Sequence, residues 1–243
     1  MIDRTLARQA TAEAVGSAFL VAIVVGSGIY AQRLSPGDVG LQLLENSIAT
    51  GAGLVALILS FGPVSGAHFN PVVTLVDRLL GGISSSAAAV YVVAQVVGGC
   101  LGAVVANLMF DLDAVNLSTH TRASGPLWIG EFVATFGLVL VIFGIARSGR
   151  PSAAPFAVGA YIAAAYWFTS STSFANPAVT IARTLSNTFA GIRPSSAPAF
   201  VAVQVVSALA AAGLVKFLHP AAAEEEVVVP HEHAEHESTG RRR

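Results

Sequence analysis

The chain is poor in charge. Asp, Glu, Lys and Arg make up only 11% of its 243 residues, against about 25% in an ordinary soluble domain. It has one cysteine, Cys100, inside an apolar stretch, so no disulfide framework can form. A net charge of −1 offers nucleic acid nothing to bind. The apolar stretches hold no His, Cys, Asp and Glu constellation and no nucleophile–base pair. An enzyme, a metal centre and a bound cofactor are therefore not expected. No cleavable signal is evident, since the short polar start from Met1 to Gln9 leads straight into apolar sequence. What the chain has in abundance is hydrophobic residues, 54% of the total, with a mean hydropathy of +0.69. That composition places it in a lipid bilayer.

Six spans are readable, at about 11–31, 42–62, 86–110, 127–147, 154–172 and 197–218, each near the roughly 20 residues a bilayer requires. Polar or turn-rich breaks separate them. Two further apolar segments, 70–80 and 176–187, are too short to cross. Each follows a polar and Gly- or Ser-containing stretch and opens on an Asn-Pro-small triplet: Asn70-Pro71-Val72 and Asn176-Pro177-Ala178. Asparagine is a strong helix N-cap, and proline suits the first helical turn, where its missing N–H is not needed. Each triplet thus predicts a helix that starts inside the membrane and crosses half of it.

The two halves correspond. Glu13 matches Glu131, Asn70 matches Asn176, and Gln95 matches Gln204, at offsets of 118, 106 and 109 residues. Each half, about 11–110 and 127–218, crosses three times. An odd number of crossings makes the second copy an inverted repeat of the first. With both termini inside, nine Lys and Arg residues lie on the inner side and four on the outer, which favours cytoplasmic termini. The reading is an all-α membrane protein with one channel domain over 1–218. A tail over 219–243, rich in His and Glu, is expected to be disordered in the cytoplasm.

Irregular backbone at membrane depth must be buried in protein or line a water-filled cavity. Segments 65–69 and 171–175 are such backbone, and their carbonyls would form a ladder of acceptors. The two half-helices would meet N-terminus to N-terminus, presenting the amide N–H donors of Asn70 and Asn176. A passing hydroxyl or water accepts from both, whereas a cation meets the positive ends of two helix dipoles. Transporters also use inverted repeats and broken helices, so a secondary transporter is the alternative. A midplane holding two asparagines lacks the titratable groups that coupled transport uses. An adhesive membrane protein with a closed pore is the remaining reading.

Over residues 10–218 the chain resembles the aquaporin or major intrinsic protein family. The resemblance rests on Glu13, Ser65-Gly66-Ala67-His68, Asn70-Pro71-Val72, Gln95, Glu131, Asn176-Pro177-Ala178 and Gln204. It implies six tilted helices and two half-helices around one pore per protomer, with four protomers in the cell membrane. It implies conduction of water and small neutral solutes such as glycerol, urea or neutral metalloid hydroxides such as arsenite, without protons or ions. Glu13 and Glu131 would brace the pore loops. His68 would stand near the inner vestibule, and Gln95 and Gln204 would satisfy nearby backbone. The chain departs from the family at two places. Val72 replaces the usual alanine, and Val179 stands where an arginine usually lines the outer constriction. Gap-free counting puts the constriction at Thr50, Ala164, Ser173 and Val179, a small and uncharged set. Tyr166 or Trp167 would narrow it by swinging in, and Arg183, one turn further, would restore a charge if the loop is shifted. Glycines 98, 99, 102 and 159 and Ala163 suit close helix crossings. On this wide-filter reading, Val179→Arg is expected to lower the glycerol-to-water permeability ratio in proteoliposomes. An unchanged ratio would contradict it.

Overall fold

A computed structural model describes residues 4–220. Eight α-helices follow in chain order: α1 Arg4–Leu34, α2 Val39–Ser65, α3 Pro71–Leu80, α4 Ser85–Met109, α5 Gly125–Arg147, α6 Ala154–Phe168, α7 Pro177–Ala182 and α8 Ala197–Leu218. Short 3-10 turns at Pro151–Ala153 and Arg183–Leu185 adjoin α6 and α7. Among the described residues there is no strand, only an isolated bridge between Asn116 and Ser186. The part of the expected tail from residue 221 lies outside the described residues.

Five helices (α1, α2, α4, α5 and α8) are long and apolar enough to cross a membrane. The expected fifth span, over 154–172, is shorter in the structure. Helix α6 ends at Phe168, and Thr169 is already extended at φ −108° and ψ 139°. The run Thr169-Ser170-Ser171-Thr172-Ser173 explains the stop, since short hydroxyl side chains compete for backbone hydrogen bonds. Fifteen residues rise about 22 Å, and the preceding 3-10 turn adds about 6 Å, so together they still approach a bilayer core. The second half-helix is likewise shorter than the expected 176–187. Its α-helical part is six residues, and the 3-10 turn carries it to Leu185.

Packing repeats between the halves. Helix α1 lies against α2 and α4 as α5 lies against α6 and α8, and α2 packs on α6 across the repeat. The half-helices α3 and α7 touch each other. Large apolar side chains on the outer faces, such as Phe19, Val93, Ile129 and Phe217, are exposed, as lipid-facing residues are in a bilayer protein.

The closest crossing is made by two glycines. A Cβ at Gly98 would overlap the Ala14 carbonyl, and one at Gly102 would overlap the Ala18 carbonyl. The two lie four residues apart on α4, so one face of that helix sits directly on the α1 backbone. Small residues drive helix association in lipid because they permit such backbone approach. Gly102→Val should therefore force α1 and α4 apart at a cost of about 1–3 kcal/mol or more. The check is a lowered thermal midpoint of the detergent-solubilised protein, and an unchanged midpoint would refute the tight crossing.

Candidate functional site: a pore between two capped half-helices

Two loops enter the molecule between helices and stop at the asparagines. Gly66, Ala67 and Phe69 are left-handed, at φ 81°, 49° and 48°. Thr172, Ser173 and Ala175, each 106 positions on, are left-handed too, at 62°, 54° and 48°. Five of these six are not glycine, and such residues hold this conformation only where their surroundings enforce it. The conformation keeps carbonyls out of any helix or sheet. The carbonyls of Gly66, Ala67, Thr172, Ser173 and Phe174 accept no hydrogen bond from the described residues.

The enforcing groups are two buried carboxylates. Glu13 Oε1 accepts from the Ser65 hydroxyl at 2.6 Å and the His68 backbone N–H at 3.0 Å. Its Oε2 accepts from the Phe69 N–H and from Gln95 Nε2, both at 2.7 Å. Glu131 mirrors it, accepting from the Phe174 N–H at 2.8 Å, the Ala175 N–H at 2.9 Å and Gln204 Nε2 at 2.7 Å. Each glutamine also bonds the threonine of its half-helix, Gln95 to Thr74 and Gln204 to Thr180, both at 2.9 Å. All four of these carboxylate and amide side chains are fully buried.

The asparagines cap and cross-link at once. Asn70 Oδ1 accepts from the Val72 N–H at 3.1 Å, and Asn176 Oδ1 from the Ala178 and Val179 N–H groups at 2.9 and 3.2 Å. Asn70 Nδ2 donates to the Ala175 carbonyl and Asn176 Nδ2 to the Phe69 carbonyl, each at 2.8 Å. One of the two amide hydrogens on each asparagine is therefore spent across the midline. The other remains for whatever fills the cavity. Pro71 and Pro177 take the first helical positions. Val72 and Ala178 are buried behind them and do not line the cavity.

A narrow cavity of about 60 Å³ runs past both asparagines. Its walls are helical stripes spaced four residues apart: Leu20 and Val24, Thr50, Leu54 and Ile58, Leu138 and Ile142, and Val158, Ile162 and Tyr166. His68 lines the cavity too, from the first loop. Its Nδ1 lies 3.0 Å from the Thr74 hydroxyl and its Nε2 3.4 Å from Asp77.

Of the four positions counted from the sequence, three face this cavity and one does not. Thr50, Ser173 and Val179 line the cavity. Ala164 does not; it sits on an exposed face of α6. Two positions on, Tyr166 turns inward, and its hydroxyl lies 3.1 Å from that of Thr50. Trp167 points away, half exposed, with its ring N–H on Ser47. Arg183 also enters the wall, buried to 2% exposure. The wall therefore carries a tyrosine and an arginine where counting along the chain gives only small uncharged groups.

Inverted half-helices, a polar midpoint and apolar stripes define a membrane channel. The chain belongs to the major intrinsic protein family: that family's sequence model matches residues 2–175, ending just before Asn176. Family members are channels and not enzymes. The chain is 50% identical over 218 residues to aquaglyceroporin AqpS of Rhizobium meliloti (strain 1021), a match covering 90% of this chain and 93% of that protein. It is 34% identical over 148 residues to aquaporin NIP1-2 of Arabidopsis thaliana, covering 57% of this chain and 49% of that one. The solved aquaglyceroporin structure from Plasmodium falciparum superposes with a TM-score of 0.66 at 19% identity, covering 88% of this chain and 98% of that one. That last likeness speaks for the fold.

Removing a brace should collapse its loop. Glu131→Ala leaves two buried backbone N–H groups and the Gln204 amide without an acceptor, at about 1–3 kcal/mol for each. The expected outcome is a large fall in thermal midpoint and loss of conductance, with Glu131→Gln milder because it keeps one acceptor oxygen. An alanine variant as stable as the wild type would remove the bracing role.

Proposed function

We propose that the protein is a passive channel for water and small neutral solutes, glycerol among them. The observation that carries this reading is the pair of reciprocal asparagine–carbonyl bonds. They hold two amide N–H donors and two runs of unengaged carbonyls along one narrow apolar-walled cavity. A molecule in that cavity can exchange bonds stepwise with donors at the midpoint and acceptors on either side. Binding is then local and weak, as conduction requires. The homology to AqpS, whose name describes an aquaglyceroporin, supports a solute pore wider in scope than water alone.

Exclusion of protons and cations belongs to the same proposal. The capped N-termini of α3 and α7 face one point, and helix N-termini carry partial positive charge. The midpoint offers a cation no carboxylate, since Glu13 and Glu131 are fully engaged with the loop backbone. Thr50, Tyr166, Ser173 and Val179 form the proposed constriction, with Tyr166 in the place expected of Ala164. Placement in the cell membrane, cytoplasmic termini and a homotetramer are parts of this reading that rest on charge bias and family resemblance.

The test is stopped-flow light scattering on proteoliposomes, with water, glycerol, urea and a neutral metalloid acid compared side by side. Flux linear in concentration and indifferent to a protonophore is the expected result. Flux that saturates, or that collapses with the proton gradient, would make the protein a secondary transporter.

A further inference from the structure

The repeat offset of 106 residues applies to more than the loops. It carries His68 onto Phe174 and Asp77 onto Arg183. In the first half, the Asp77 carboxylate lies 3.4 Å from the His68 ring nitrogen. In the second, the Arg183 guanidinium lies 3.4 Å from the centre of the Phe174 ring. Both halves use the same device, in which the seventh residue after the asparagine packs on the loop residue two before it. The sign of the charge is reversed between them. The first half sets a carboxylate behind the cavity-lining His68, and the second sets a guanidinium over the cavity-lining Phe174.

Arg183 is held but not neutralised. It follows Val179 by four residues, so it stands about 6 Å further along the half-helix on nearly the same face. Its Nε donates to the Ala190 carbonyl, and its own carbonyl accepts from the Ile192 N–H at 3.4 Å. Its terminal nitrogens donate to no described residue, and no carboxylate lies within ion-pair distance of it among the described residues. Arg122 shares the Phe174 ring at 5.1 Å, but its donors go to the Gly191 and Ser171 carbonyls. Burial and Arg122 hold the nearby His120 below the ordinary histidine value, so it adds no charge at neutral pH. A second polar group waits on the same wall, the buried Ser173 hydroxyl, which has no partner among the described residues.

We propose that Arg183 is a specificity-determining residue of the pore, displaced one helical turn from position 179. Its free N–H groups, with the Ser173 hydroxyl, hold the oxygen atoms of a small uncharged hydroxylated solute at that end. The planar guanidinium, fixed on Phe174, also sets the aperture, since lining donors and pore width govern selectivity. Phe174 is in turn fixed by Glu131 through its backbone N–H, so the brace, the arene and the cation form one chain of support.

This inference rests on the channel reading, and wild-type water and glycerol flux in proteoliposomes test that reading separately. Given a conducting wild type, Arg183→Gln is expected to raise the erythritol-to-water permeability ratio about tenfold, because the shorter side chain leaves Phe174 and widens the aperture for the larger polyol. Arg183→Lys, which keeps the charge but not the planar stack, should fall between the two. A folded Arg183→Gln protein with a ratio within about twofold of wild type overturns the inference. If neither variant reaches the membrane, the wild type decides through the arginine reagent 2,3-butanedione. Loss of solute flux that glycerol slows supports Arg183 in the pore wall, whereas no loss, or loss that glycerol does not slow, overturns it.

Discussion

Everything in this channel depends on a carboxylate holding backbone N–H groups where no water and no helix can. A loop that enters a bilayer protein has polar groups that neither a ladder nor solvent satisfies. Glu13 and Glu131 meet that need from neighbouring long helices, each taking two consecutive loop N–H groups and a glutamine amide. With the N–H groups engaged at the back, the left-handed residues turn their carbonyls away. A single buried carboxyl group on α1 or α5 thereby sets which face of a distant loop lies against the cavity. The cost of burying an unpaired carboxylate is high, so the brace and the loop require each other.

The inverted repeat copies this device with unequal fidelity. Backbone angles, the threonine–glutamine contact and the carboxylate clamp recur almost bond for bond. Among the residues that differ are His68 against Phe174, both on the cavity wall, and Asp77 against Arg183, of which Arg183 lines it. The scaffold is symmetric and the chemistry at its two mouths is not.

Much of this was legible in the sequence because it needs specific residue types at fixed places. Asparagine before proline, a glutamate in an otherwise apolar span and a matching glutamine each have few alternative uses in lipid. Their repetition marks the loops and half-helices in the sequence itself. Ala164 failed because counting back from Asn176 crosses a loop of unknown shape, and the count says nothing of where α6 ends. The four-residue spacing of Val158, Ile162 and Tyr166 held the better signal, since it stays inside one helix. Arg183 was visible only as an option four residues past Val179. Carrying the 106-residue offset onward from Asp77 would have singled it out.

The crossed asparagine–carbonyl bonds also have a mechanical meaning. Asn70 is tied to the backbone of the second half, and Asn176 to that of the first, at one and the same level. Any motion that rocks one half against the other must break both ties together. The midpoint is thus a seam sewn from both sides, a fixed aperture.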